Sequence, residues 1–244
     1  MRLHVLGCGD AFGSGGRNQS GYLVETSERL FLLDCGPSTL PAMKRAGFDP
    51  KRLDAVLLSH LHGDHFGGLP FFFIEYLYGN PRRNPLHVAG PPETEARVCE
   101  LFRLMYGGKA TARELPPNRF HTLQPGKPKL IEGIEIFPFQ VPHQVHEVSL
   151  GLKVSCDQKQ ILFSGDSAWT DRFTDYARGV DLFLCECSFY DQGPGNHINF
   201  LSLKENLIHL KCKKLVLTHL GEAMLARDKE LGVTFADDGM VIEV

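Results

Sequence analysis

Ala55-Val56-Leu57-Leu58-Ser59 runs straight into His60-Leu61-His62-Gly63-Asp64-His65. The first stretch is a compact apolar run of strand type, and the second is a dense group of imidazoles with one carboxylate. Imidazole and carboxylate are the side chains that hold zinc, manganese or iron. Packed this closely, they can grip a pair of ions only if the backbone turns. Gly63 is read as that turn, because glycine accepts a positive φ. A buried strand ending in such a group places it at one edge of a sheet, where the polar residues of an α/β fold gather.

Outward from this point the chain alternates short strand-like runs with helix-like stretches, which argues for layered α/β structure. Residues 3–6 read as a strand that enters a glycine-rich loop, 7–16. Residues 22–24 and 30–33 form a strand pair, and 39–46 a short helix stopped by Gly47. A core helix is expected over 69–78, with Phe71 to Phe73 in the core, and another helix over 92–105. Residues 107–128 hold several prolines and basic residues, among them Arg113 and Arg119, and read as an irregular loop with solvated arginines. Further strands are expected over 134–141, 150–154, 160–163, 181–184 and 214–217, and a helix over 201–210. No internal repeat or low-complexity linker interrupts the 244 residues, and one domain, 1–244, is expected.

Three more candidate ligands stand at the ends of strand-like runs: His143, Asp166 and His219. The choice between His143 and His146 is left open by spacing alone. Asp166 follows Phe163-Ser164-Gly165, so its carboxylate is placed to bridge two ions. Ions about 3.5–4 Å apart clamp attacking and leaving oxygens and activate a water as nucleophile, so no serine or cysteine nucleophile is needed. Asp34 reads as a residue that holds a ligand histidine in place. The loop 7–16 lacks the Gly-Lys-Ser/Thr ending of a P-loop and reads as a plain turn. Cys185 and Cys187 share a strand face and read as buried thiols.

Taken together, these residues resemble the metallo-β-lactamase superfamily. HLHGDH at 60–65 matches its signature, and His143, Asp166 and His219 follow in the family's order. The resemblance covers essentially the whole chain and implies a four-layer αβ/βα sandwich. It implies that His60, His62 and His143 hold one metal, that Asp64, His65 and His219 hold the other, and that Asp166 bridges them. Within the superfamily the chain is similar to the ribonuclease Z-like phosphodiesterase branch. The similarity is carried by LGCGDAFGSGGRNQSGYLVE at the start, LLDCGPST at 32–39, FSGDS at 163–167, CECSF at 185–189, HINF at 197–200 and LTHLG at 217–221. By that resemblance His197 donates a proton at the scissile phosphate, is oriented by Glu186, and acts in catalysis alongside Asp64. Short bacterial transfer-RNA-processing members carry a long arm between the equivalents of His143 and Asp166, and this chain has only a strand pair there.

The expected function is therefore binuclear metal-dependent hydrolysis of a small phosphodiester, such as a cyclic nucleotide. The alternative is hydrolysis of a thioester, lactone or lactam by the same site. The expected cofactors are two divalent ions, zinc before manganese or iron, and the favoured partner is a small phosphoester rather than nucleic acid. A formal net charge of −3 supplies no general basic field for nucleic acid. No apolar run reaches the roughly 20 residues that span a bilayer, and the interrupted start reads against a secretory signal. Seven scattered cysteines in a chain of this length suit reduced thiols in a cytoplasm. Relatives often pair, so a homodimer stands beside a monomer, and no apolar helix face decides between them.

Overall fold

The computed structural model describes residues 1–82, 84–107 and 118–244. The first half of the chain forms β1 (Arg2–Gly7), β2 (Gly21–Glu25), β3 (Leu30–Leu33), α1 (Thr39–Arg45), β4 (Ala55–Leu57), α2 (Gly63–Phe66), α3 (Leu69–Ile74), β5 (Leu86–Gly90), α4 (Thr94–Tyr106) and β6 (Asn118–Thr122). The second half forms β7 (Lys129–Ile131), β8 (Ile134–Gln140), β9 (Leu150–Cys156), β10 (Lys159–Phe163), α5 (Arg172–Tyr176), β11 (Leu182–Glu186), α6 (Phe200–Asn206), β12 (Leu215–Thr218), α7 (Glu222–Leu225), β13 (Thr234–Phe235) and β14 (Val241–Glu243). One sheet runs β14-β1-β2-β3-β4-β5-β6 and the other β13-β12-β11-β10-β9-β8-β7. Each sheet is antiparallel along one side and parallel along the other, and the change falls at β3 and at β10.

Alternation along the strands explains the layers. Tyr22, Val24, Phe31 and Leu33 point inward to meet Leu150, Leu152, Ile161, Phe163, Leu182 and Leu184 of the other sheet. Leu23, Leu32, Val56 and Leu58 point outward to Met43, Phe72, Phe73 and Phe102 on the covering helices. Leu162, Phe183, Cys185 and Leu217 do the same against Phe173, Leu203 and Met224. Both faces of these strands are buried, which is why they read as near-continuous apolar runs. The result is a four-layer αβ/βα sandwich of the α/β class. No helix among the described residues is long and apolar enough to cross a membrane.

Several elements differ from the sequence reading. The helix expected over 69–78 is α-helical only through Ile74 and continues as a wide π-helical turn, Glu75–Gly79. That turn carries the buried Tyr76, whose hydroxyl donates to the Pro50 carbonyl at 2.9 Å. The helix expected over 201–210 passes into a 3-10 turn at Leu207–His209. The irregular stretch 107–128 contains β6, which among the described residues is an edge strand paired only with β5, so its side chains lack the alternation that a buried strand shows. Arg119 lies on this strand, whereas Arg113 lies outside the described residues. Gly63 does not turn with positive φ; it opens α2. The left-handed backbone falls instead on Asp34 (φ 55) and His219 (φ 54), residue types that tolerate this region better than most.

Candidate metal centre

The site lies where several strands end. β4 leads into Ser59 and His60, β10 into Asp166, β12 into His219, and β11 ends at Glu186. Gly165, with φ 56, lets β10 turn sharply into Asp166. A Cβ on it would stand 2.7 Å from the Ser59 side chain and 2.7 Å from the Leu150 carbonyl, so only glycine allows the two sheets to approach here.

Among the described residues, three groups of ligand-type atoms result, each with its members within 4.8 Å of one another. Glu186, His197 and His219 form one; the two that hold the candidate ligands are His60, His62, His143 and Asp166, and Asp64, His65, Asp166 and His219. Asp166 belongs to both. Its Oδ2 stands 3.2 Å from His65 Nε2, 3.3 Å from His219 Nε2, and 3.9 Å from both His60 Nε2 and His143 Nε2. Asp64 Oδ2 lies 3.1 Å from His65 Nε2 and 3.4 Å from His219 Nε2. His146, the other histidine of its loop, is exposed and outside both groups.

Hydrogen bonds aim the imidazoles. His65 Nδ1 donates to Asp34 Oδ2 at 2.7 Å, and His143 Nδ1 donates to the Asn196 carbonyl at 2.9 Å. The Ser59 hydroxyl gives its proton to Asp34, so it accepts from His60 Nδ1 at 3.0 Å. Ser188 gives its proton to Glu186 Oε2 and accepts from His219 Nδ1 at 2.9 Å. Each of these rings therefore turns its Nε2 to the centre. His60 Nε2 and His65 Nε2 are buried and take no hydrogen bond, which fits nitrogens whose partner is a cation. The donor sets accordingly fit divalent metal ions.

The charge balance shows carboxylates drawing positive charge to the centre, as protons on His65 and His219 where no cation takes their place. Burial alone would raise the Asp166 carboxyl, but the surrounding His219 and His65 outweigh it and hold it well below the usual range. Burial lowers His65, yet Asp166, Asp34 and Asp64 bring it well above the ordinary imidazole value. His219, subject to the same opposition, is pushed up to about 9. His60, buried beside His65, lies well below the ordinary value and is a neutral donor.

Beside the metal groups, His197 Nδ1 meets Glu186 Oε1 at 2.8 Å. Glu186 is buried, and its carboxylate also receives the Ser167 backbone N–H at 2.7 Å. The His197 ring stacks on His219 with centroids 5.5 Å apart and stands 4.0 Å from Asp166 Oδ2 through Nδ1. The seven candidate ligands, Glu186 and His197 thus lie within one site. Sequence reasoning did not find Ser59, Ser167, Ser188, Gln144 or the Asn196 carbonyl. The serines follow or precede a candidate residue closely, which is the one local signal they carry.

Comparison with known proteins agrees with this construction. Over 230 residues the chain is 26% identical to the probable metallo-hydrolase YhfI of Bacillus subtilis, covering 90% of this chain and 87% of that one. The crystal structure of YhfI superposes with a TM-score of 0.79 at 24% identity over 99% of each chain. A ribonuclease Z of Mycobacterium bovis is 28% identical over 75% of this chain and 69% of its own. The crystal structure of a diphosphatase of the PhnP family has a TM-score of 0.78 at 19% identity, covering 100% of this chain and 97% of that one. Fold and relatives define a metal-dependent hydrolase of the metallo-β-lactamase superfamily, in its ribonuclease Z-like branch. The model of the family described as Anti-Pycsar protein Apyc1 matches residues 1–242, and the chain belongs to that family.

Proposed function

We propose that this chain is a binuclear phosphodiesterase acting on a small phosphodiester such as a cyclic nucleotide. His60, His62 and His143 would hold one divalent ion, and Asp64, His65 and His219 the other, with Asp166 between them. Zinc suits this nitrogen and oxygen donor set, as do manganese and iron. Such a pair supplies an activated water and neutralises charge on the phosphoryl oxygens.

The observation that carries the reading is the His197–Glu186 pair at 2.8 Å. Breaking a P–O bond leaves an alkoxide that needs a proton, and an imidazolium is a suitable donor. With Nδ1 bound to Glu186, His197 Nε2 has no hydrogen-bond partner among the described residues and is available to substrate. Burial lowers the His197 imidazole, but the hydrogen bond to Glu186 and its charge outweigh that and keep it above the ordinary value. A thioester or lactone hydrolase with the same ligands has no need of this buried pair. The names ribonuclease Z and diphosphatase among the relatives also favour phosphorus chemistry.

A small substrate is supported by the segment between His143 and Asp166. A loop at 142–149 and the hairpin of β9 and β10 use it entirely, and the hairpin turns on Asp157 and Gln158, both at positive φ. That two-residue connection is as tight as a hairpin allows and carries no arm for a folded RNA. The seven cysteines are all free, and we take a reducing cytoplasm as the compartment.

The test is hydrolysis of bis(p-nitrophenyl) phosphate, thioester and β-lactam probes by chelated protein, before and after adding zinc or manganese. Metal-restored phosphodiester cleavage is expected. His197→Ala should lower that rate by about 10²–10⁴-fold with metal content unchanged. Activity confined to thioester or lactam would overturn the reading.

A further inference from the structure

The candidate histidines are not held equally. His60, His65, His143 and His219 are buried, and each gives Nδ1 to a fixed acceptor of the sheet edges or nearby loops. His62 is exposed and oriented the other way round. Its Nδ1 faces the centre, 3.2 Å from His143 Nε2, and its Nε2 is 3.0 Å from the side-chain amide of Gln144. Gln144 is the one residue outside the cluster to which His62 side-chain nitrogens bond among the described residues.

We propose that Gln144 is the positioning residue of His62 and sets how tightly the ion of His60, His62 and His143 is held, making this the more exchangeable of the two metal positions. The inference rests on the binuclear reading above. An imidazole that coordinates through Nδ1 keeps its proton on Nε2, and that proton needs an acceptor. A terminal amide offers an oxygen and an NH2 group at interchangeable positions, and its partners decide which faces which. With the Gln144 oxygen turned to His62, its NH2 donates to the Ser149 hydroxyl, which lies 3.1 Å from the amide and is buried. Both ends of the amide are then satisfied, and the ring cannot rotate without breaking a bond.

The support for His62 is itself anchored at the surface. Gln144 sits in the loop between β8 and β9, next to the exposed Val145, His146 and Glu147. Arg97 of α4 ties this loop to the histidine turn, pairing with Glu147 at 2.8 Å and reaching the Leu61 carbonyl at 3.4 Å. By contrast, Asp34, which holds His65, is fully buried and takes two further bonds from Ser59. A ligand aimed by an amide on a surface loop is released more readily than one aimed by a buried carboxylate.

The experiment is zinc binding, measured by competition with a chelating dye and by metal analysis, on wild type, Gln144→Leu, Gln144→Glu and His62→Ala. Wild type should bind two zinc ions of unequal affinity. Gln144→Leu should weaken one of them by about 10–100-fold and leave the other unchanged. Gln144→Glu, which keeps an acceptor, should restore binding to the wild-type level or better. In the His62→Ala background, adding Gln144→Leu should change zinc affinity less than about twofold, because both act on one bond. An unchanged Gln144→Leu, an equal weakening of both ions, failure of Gln144→Glu to restore binding, or a full second loss in the His62→Ala background would each overturn the proposal while leaving the binuclear reading intact. A wild type that takes up no second zinc would instead overturn the binuclear reading, and this proposal with it.

Discussion

The first sheet brings its candidate ligands, His60, His62, Asp64 and His65, from one continuous turn after β4. The second brings His143, Asp166 and His219 from the ends of three separate strands. The first set is held locally: α2 itself carries Asp64 and His65, and the Cys35 N–H bonds the His65 carbonyl at 2.6 Å. The second set keeps its geometry only while β8, β10 and β12 hold their places in the sheet. A local turn therefore carries the coordination chemistry, and the packing of a whole sheet carries its completion.

Asp166→Ala tests this division most severely. Its carboxylate is the one group common to both ligand sets, so tight binding of two ions should be lost, with turnover lower by orders of magnitude. Metal analysis after gel filtration checks it, and retention of two tightly bound ions would sink the bridging assignment. A middle-sized effect is expected where the sheets meet. The Tyr22 hydroxyl of β2 bonds Thr218 Oγ1 of β12 at 2.6 Å in the buried interior, one residue before His219. Tyr22→Phe leaves the threonine hydroxyl without this partner and should cost about 1–3 kcal/mol in urea unfolding. An unchanged midpoint would mean that the sheets are registered by apolar contact alone.

The smallest effect lies at the far end of β11 from the site. Burial raises the Asp181 carboxyl, but bonds from Lys213 and the Gln160 N–H outweigh it and bring it down to about 2. A depressed carboxylate stabilises the fold above its unfolded value, near 4, and that stability is lost as the pH falls toward 2. Asp181→Asn should therefore lower Tm slightly at pH 7, with a loss of stability below about 1 kcal/mol because the lysines are solvated. The gap from wild type should close between about pH 4 and pH 2. A gap that persists at pH 2 would exclude the ion pairs as its cause.

The legible parts of the molecule are those whose cause is local. The short apolar runs at 22–24, 30–33 and 160–163 mark strands because a strand buried on both faces is apolar at nearly every residue. The edge strand β6 and the short β13 and β14 were not legible, because a strand with one partner or few residues need not bury a regular face. The wide turn Glu75–Gly79 was missed for the opposite reason: its apolar residues satisfy a helical pattern whether the turn is α or π.

By itself the sequence determined that a strand would deliver imidazoles and a carboxylate to a sheet edge, since those ligands lie within one turn of chain. It also placed Asp166 and His219 as candidates by their positions after strands, and the resemblance to a known family added Glu186 and His197. Only the tertiary structure decided that His143, not His146, stands beside His60, and that Ser59, Ser188, Gln144 and the Asn196 carbonyl aim the rings. Those contacts join residues as much as 82 positions apart. A hydroxyl, an amide or a backbone carbonyl has no pattern of its own in sequence and acquires its role from the neighbour that folding brings to it.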